Sequence, residues 1–269
     1  MLEQAWLAGR RDSASARASA VGRPMDLLGC SREDVYGFTH SLMYLCDGER
    51  RQTLPRSAGE LIQEAEALLA WSLDEEDYDL AGEILLAWPL LRKRWSPAAT
   101  FGFHVLALVE DEAGFLPTPS TRPERAAELE GTHRAGYVLA TAYHTVYVMG
   151  VLCATILASG FFPAQKIHGN DPKSRLVNEL LTLPGEGSRP RHWRTVFERL
   201  SPQQRGSLQP FLLAVAIRRA ASRREFERLR FILGIAAERG LTDSPIAAQA
   251  AELLERLSAA APALGFGLT

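Results

Sequence analysis

Three histidines and two aspartates are the residues of this chain whose type and spacing could do chemistry. His40 and Asp47 lie seven residues apart, and so do His104 and Asp111. Seven residues are close to two helical turns, so each pair shares a helix face about 10 Å apart and must find its partners on neighbouring helices. His144 stands between Tyr143 and Thr145, inside a stretch of thirty-one residues, Ala135 to Gln165, without a single Lys, Arg, Asp or Glu. If the helices that carry them pack together, the three imidazoles converge. His144 is then the expected acid/base or ligand, with His40 and His104 assisting and Asp47 or Asp111 orienting. Tyr143, Tyr147, Tyr36, Phe103 and Trp88 are the aromatic side chains expected to contact a bound molecule. The competing reading makes each histidine a core residue that bonds a hydroxyl or carboxylate on a neighbouring helix. No HExxH, no pair of ExxH motifs and no Cys/His zinc spacing is present, so neither a metal nor a cofactor is specified.

The elements that must position these residues read almost entirely as helix. Ser31 followed by Arg32, Glu33 and Asp34 is an N-cap with acidic first-turn residues, opening a helix to about Asp47. Ser96-Pro97, Asp171-Pro172, Ser201-Pro202 and Ser244-Pro245 are four further helix starts, because the first side chain caps free N–H groups and proline at the first helical position loses nothing. Helices are also predicted over 59–73, 77–92, 134–159, 190–200 and 222–238. No alternating run bounded by hairpin turns suggests a strand. The expected fold is therefore all-α, a helical-hairpin array or toroid-like bundle around a buried central helix formed by the uncharged run. Residues 1–30 are expected to be partly disordered and 31–269 to form one helical domain, with a sub-boundary near 161–190. The uncharged run is long enough to span a bilayer. Thr141, His144, Thr145, Tyr147 and Thr155 in its middle argue for protein burial instead, so a membrane role is not expected.

Composition excludes some classes. A formal charge of −2 gives no overall pull toward nucleic acid. Cys30, Cys46 and Cys153 have no CxxC spacing, and an odd count argues against a disulfide framework, which makes a reducing cytoplasm the default. The N-terminus lacks the apolar core of a secretory signal. The acidic stretch Asp74-Glu75-Glu76-Asp77-Tyr78-Asp79 is expected to be a turn with a solvated face. Eleven arginines between Arg189 and Arg230 are expected to form a solvated surface or a docking face for the acidic 60–83 region. Either segment could receive a protein partner.

Asp79-Leu80-Ala81-Gly82-Glu83-Ile84-Leu85-Leu86 and Ala142 to Gly150 resemble stretches of uncharacterised helical proteins of actinobacteria. The paired-helix layout is similar in outline to the α/α toroids of terpene cyclases and protein prenyltransferases. The acidic stretch and Asn170-Asp171-Pro172-Lys173-Ser174 invite comparison with the two magnesium motifs of terpene synthases, but Glu179 falls one residue late, about 100° around a helix. The resemblance implies an architecture and no catalytic residue. Together these observations lead to the expectation of a protein that binds or transforms a hydrophobic small molecule in an apolar, aromatic-lined helical cavity, in bacterial secondary metabolism. The alternative is a non-catalytic helical scaffold.

Overall fold

The computed structural model describes residues 1–10, 12–48, 51–167 and 191–260, and among them the protein is all-α. Two short helices, α1 (Leu2–Leu7) and α2 (Ser13–Ala18), precede α3 (Arg32–Cys46). The centre of the fold is α4 (Ala58–Asp74) packed on α5 (Tyr78–Leu85), followed by the short α6 (Ala87–Leu91). Next come α7 (Pro97–Ala113), α8 (Pro123–Glu128) and the long α9 (Gly131–Ser159). The chain closes with α10 (His192–Glu198), α11 (Pro202–Gly206), α12 (Gln209–Ser222), α13 (Phe226–Glu238) and α14 (Pro245–Ala260). Asp171-Pro172 and the Asn170–Glu179 comparison lie outside the described residues.

Local chemistry sets the boundaries. Ser31 and Asp34 cap each other reciprocally at the start of α3, and Ser57 and Glu60 do the same for α4. Ser96 accepts from the Ala99 N–H ahead of Pro97, and Ser201 opens α11 the same way. The expected helix over 77–92 is two: α5 ends at Leu85, and α6 stops where Arg92 takes the left-handed conformation, φ 53°.

Every residue of α5 is buried. Helix α4 packs on one side of it, with Leu61, Leu68, Leu69 and Leu73 in the core, and α12 and α14 pack on α4 in turn. Burying side chains of this size contributes roughly 1.5–3 kcal/mol each. Helices α3, α7 and α9 contact α5 from its other sides. The N-terminal thirty residues, expected to be partly disordered, are instead folded against this core: Val21 and Leu27 are buried, and Gln249 of α14 accepts from the Leu27 N–H at 2.8 Å.

Two expectations need correction. The uncharged helix α9 is not a buried centre. Only Ala142, Thr145, Val148, Leu152 and Ile156 are buried, while Leu139, Tyr143, Val146, Tyr147 and Leu157 are 52–71% exposed. Absence of charge makes a helix apolar all round; it does not say which neighbour covers each side, and the described residues cover one. By length and composition α9 is also the helix long and apolar enough to cross a membrane among the described residues. The acidic stretch is solvated only at Glu75 and in part at Glu76: Asp74, Asp77 and Asp79 are buried, as is Glu83.

Asp74 shows how such a carboxylate is kept. It accepts from Arg219 Nη2 at 2.6 Å and Nε at 2.7 Å, and from the Trp193 indole N–H at 3.0 Å. One carboxylate thus joins α4 to α10 and α12, and the Arg-rich segment meets the acidic one inside the same chain. Removing one partner of a buried pair leaves the other unpaired. Asp74→Ala should therefore lower unfolding free energy by about 3–5 kcal/mol in urea titrations, and a loss near that of a surface substitution would show that the network is not structural.

Candidate functional site

The chemistry gathers around two carboxylates on α5. Asp79 and Glu83 are four residues apart, so both project from one face of the helix, and both are almost wholly buried. Helix α3 presents a complementary series to them at the same spacing. Arg32 Nε meets Asp77 Oδ2 at 2.5 Å and its Nη2 lies 3.3 Å from Asp79 Oδ2. Tyr36 donates its hydroxyl to the same Asp79 oxygen. Thr39 donates to Glu83 Oε2 at 2.5 Å, and His40 Nε2 lies 3.5 Å from Glu83 Oε1. From the opposite side α9 brings His144, whose Nδ1 is 2.7 Å from Asp79 Oδ1.

These contacts make two histidine–carboxylate dyads. Asp79, already accepting from Tyr36 and Arg32, accepts from His144 as well, so the Nδ1 of His144 carries the proton that faces it and its Nε2 faces the solvent side. Glu83 acts on His40 through hydrogen bonding and charge, which outweigh partial burial and raise the imidazole above its ordinary range. Burial and the bond to Asp79 push the Tyr36 hydroxyl up, which keeps it a neutral donor.

Both imidazoles are about two-fifths exposed, and both open into one groove of about 760 Å3. Met43, Leu86, Leu90, Val148 and Val151 give it apolar walls; Trp6, Tyr44 and Tyr147 add aromatic ones. Arg51, Arg92, Asp47 and Glu83 add charged groups to the lining. The groove has a direction. Asp79 bonds His144, Gly82 lies against Val148 and Met149, and Trp95 donates to the Phe161 carbonyl, so the chain from α5 through α6 runs alongside α9. Helix α3 follows the same course, from Tyr36 beside Asp79 to Arg51, which donates to the Leu90 carbonyl at 3.1 Å. The histidines therefore stand toward one end and the arginines toward the other.

Of the residues expected from the sequence, His40, His144, Asp47 and Tyr147 line this groove, and Tyr36 stands behind it on Asp79. His104 does not join them. It is half-buried on α7, where burial lowers its affinity for a proton against an opposing hydrogen bond to the Ala164 backbone. Asp111 is exposed on α7, and Asp47 accepts from the Trp6 indole at 2.8 Å rather than orienting a histidine. Tyr143 points outward, 62% exposed. Phe103 packs edge-on against Trp95, and Trp88 is fully buried, stacked on Trp95, so neither lines the groove. The spacing of seven described each helix correctly but could not say which helices are neighbours.

Asp79 and Glu83 were missed, and a signal existed for them. Carboxylates four apart in an otherwise apolar helix, Leu80-Ala81-Gly82 and Ile84-Leu85-Leu86, are too costly to bury without partners, and Arg32, Tyr36 and His40 repeat at the matching interval. His192 bonds Glu76 and Tyr78, each at 2.7 Å. It lies in a second concavity of about 630 Å3 with Glu75, Glu112 and Arg134. Burial of Glu76 is overcome by the His192 bonds, which hold it at about 2. That imidazole is occupied by its neighbours. No group of three or more metal-ligating side chains occurs among the described residues.

The chain belongs to the family described as a domain of unknown function, DUF6895, whose family model matches residues 2–154. The matched region contains both dyads and most of the groove; α10 to α14 lie beyond it. No curated protein and no solved structure matches the chain.

A raised imidazole has a sign for stability. The His40–Glu83 pair contributes fully below the ordinary histidine pKa of about 6.5 and its contribution is lost as pH rises through the higher folded value. The stability difference between the protein and His40→Gln, read from urea unfolding across neutral pH, should shrink steadily toward alkaline pH. A difference independent of pH would mean that His40 is not charged by Glu83.

Proposed function

We propose that the groove binds an elongated hydrophobic molecule that carries an anionic group at one end and, at the other, a group that exchanges a hydrogen bond or a proton with histidine. The observation that carries this reading is the pair of half-exposed imidazoles, each backed by a buried carboxylate, opening into one apolar groove. Buried carboxylates could be satisfied at less risk by fully buried partners; placing imidazoles between them and solvent keeps them available to a ligand. The volume falls within the usual range for small-molecule sites, roughly 300–1,000 Å3. Arg51 and Arg92 supply the anion-binding end: arginine keeps its charge and offers a fork of donors to a carboxylate or phosphate. In acid–base terms His144, with Nδ1–H held by Asp79, offers Nε2 as the base, and His40, its proton held by Glu83, is the acid.

Arg92 provides a clean test because its backbone is left-handed, φ 53°, where glycine is the less strained residue. In titration calorimetry decanoate should bind more tightly than decanol, and Arg92→Gly with Arg51→Gln should remove that preference, a loss of tenfold or more in decanoate affinity. Equal binding of both, unaffected by the substitutions, would overturn the anionic end and leave the apolar groove standing. Binding of neither would overturn the groove reading itself. At the far end 10-hydroxydecanoate should bind more tightly than decanoate, and His144→Phe should abolish the difference while leaving decanoate affinity in place; an unchanged difference would remove His144 from the site.

A further inference from the structure

The outer face of α9 is an uncharged stripe that none of the described residues covers. Gly136, Leu139, Ala140, Tyr143, Val146, Tyr147, Gly150, Cys153, Ala154 and Leu157 are all exposed. Their spacing follows a seven-residue repeat, with Gly136, Tyr143, Gly150 and Leu157 at one position and the 139/140, 146/147 and 153/154 pairs between them, which is the seam of a helix made to meet another helix. Two of these residues have no explanation among the described residues. A Cβ added at Gly136 or Gly150 would meet nothing within 4 Å, and neither has a positive φ. Glycine weakens a helix interior relative to alanine, so these positions are kept bare for something outside.

We infer that the stripe is the interface of a two-fold symmetric dimer in which α9 packs antiparallel against α9 of a second copy. The sizes along the stripe select this arrangement. Reversing the helix about the point between Val146 and Tyr147 sets Tyr143 against Gly150, Leu139 against Ala154 and Gly136 against Leu157. A large side chain then faces a small one in these three pairs, Ala140 meets Cys153, Val146 meets Tyr147 at the two-fold itself, and each pair occurs twice, as an interface made from the same patch on both copies requires. A parallel in-register pair would instead set Tyr143 on Tyr143 and Gly150 on Gly150. A lipid surface accepts any apolar side chain at these places and gives no reason for the two glycines. The area is sufficient: Leu139, Tyr143, Val146, Tyr147 and Leu157, 52–71% exposed, offer roughly 600 Å2 per copy before the small residues are added, so two copies clear the ~1,000 Å2 total expected of a specific interface. Because Tyr147 lies both on this stripe and in the groove lining, the dimer seam borders the groove.

Sedimentation equilibrium of the full chain at tens of micromolar should give the mass of two chains. Gly150→Leu should weaken the dimer at least tenfold with unchanged circular dichroism, and adding Tyr143→Ala should restore it by reopening the space. Orientation is read by disulfide trapping in a Cys153→Ser background, where the two remaining cysteines, Cys30 and Cys46, are buried. Val146→Cys, next to the two-fold, should oxidise to a covalent dimer, and Leu139→Cys should not. A monomer in sedimentation would overturn the proposal, as would flotation of a monomer with phosphatidylcholine vesicles. Equal trapping at 139 and 146 would overturn the antiparallel arrangement in favour of a parallel one.

Discussion

Removing a carboxylate from water costs several kcal/mol unless it is paired and fully hydrogen-bonded. Helix α5 removes two, one turn apart, at Asp79 and Glu83, and the surrounding helices are arranged to satisfy them. From α3 come Arg32, Tyr36, Thr39 and His40, and α9 contributes His144. These contacts fix the register of both helices on α5, because a shift of one residue turns every partner by about 100°. The groove follows from that register. It is the seam left where α3 and α9 lie side by side over α5 and α6, with the imidazoles at one end because the carboxylates are there.

Helix α9 serves two sides at once. Its inner face closes the core through Val148, Leu152 and Ile156, its flank lines the groove through His144, Tyr147 and Val151, and its outer face holds the uncovered stripe. A helix with charges on its outer side would be the ordinary solution for a surface position. The uncharged outer face of α9 instead ties the position of His144 to whatever covers that face. The C-terminal helices do different work: through Arg219 and Trp193 they satisfy Asp74 and brace α4, on which α5 rests.

Much of this architecture was legible in the chain. The Ser31 cap, the serine–proline starts at 96, 201 and 244, and the helix spanning the uncharged run all follow from local chemistry, and so does the all-α class. The site was half legible. His40 and His144 are conspicuous as imidazoles on apolar helices, and the spacing sends them to neighbouring helices for partners, but it points to Asp47 and Asp111 where the carboxylates that meet them are Asp79 and Glu83. Burial was the quantity the sequence could not supply. A run of Asp and Glu looks solvated until the arginine, tyrosine and histidine that face it are placed, and a run without charge looks central until its neighbours are counted. Trp88 and Phe103 were read as ligand contacts for the same reason: an aromatic side chain looks alike in a wall and in a core.

The α5 carboxylates Asp79 and Glu83 hold the imidazoles of His144 and His40 at one groove, each with a ring nitrogen directed at its carboxylate. Long-range 1H–15N spectra of the histidine rings report the tautomer of each directly. His144 should show the Nδ1–H form, the less populated one in free histidine, and revert to the ordinary Nε2–H form in Asp79→Asn; His40 should show a proton on Nε2, toward Glu83. Both rings in the averaged state of free histidine, unchanged by Asp79→Asn, would contradict the claim and leave the groove without its chemistry.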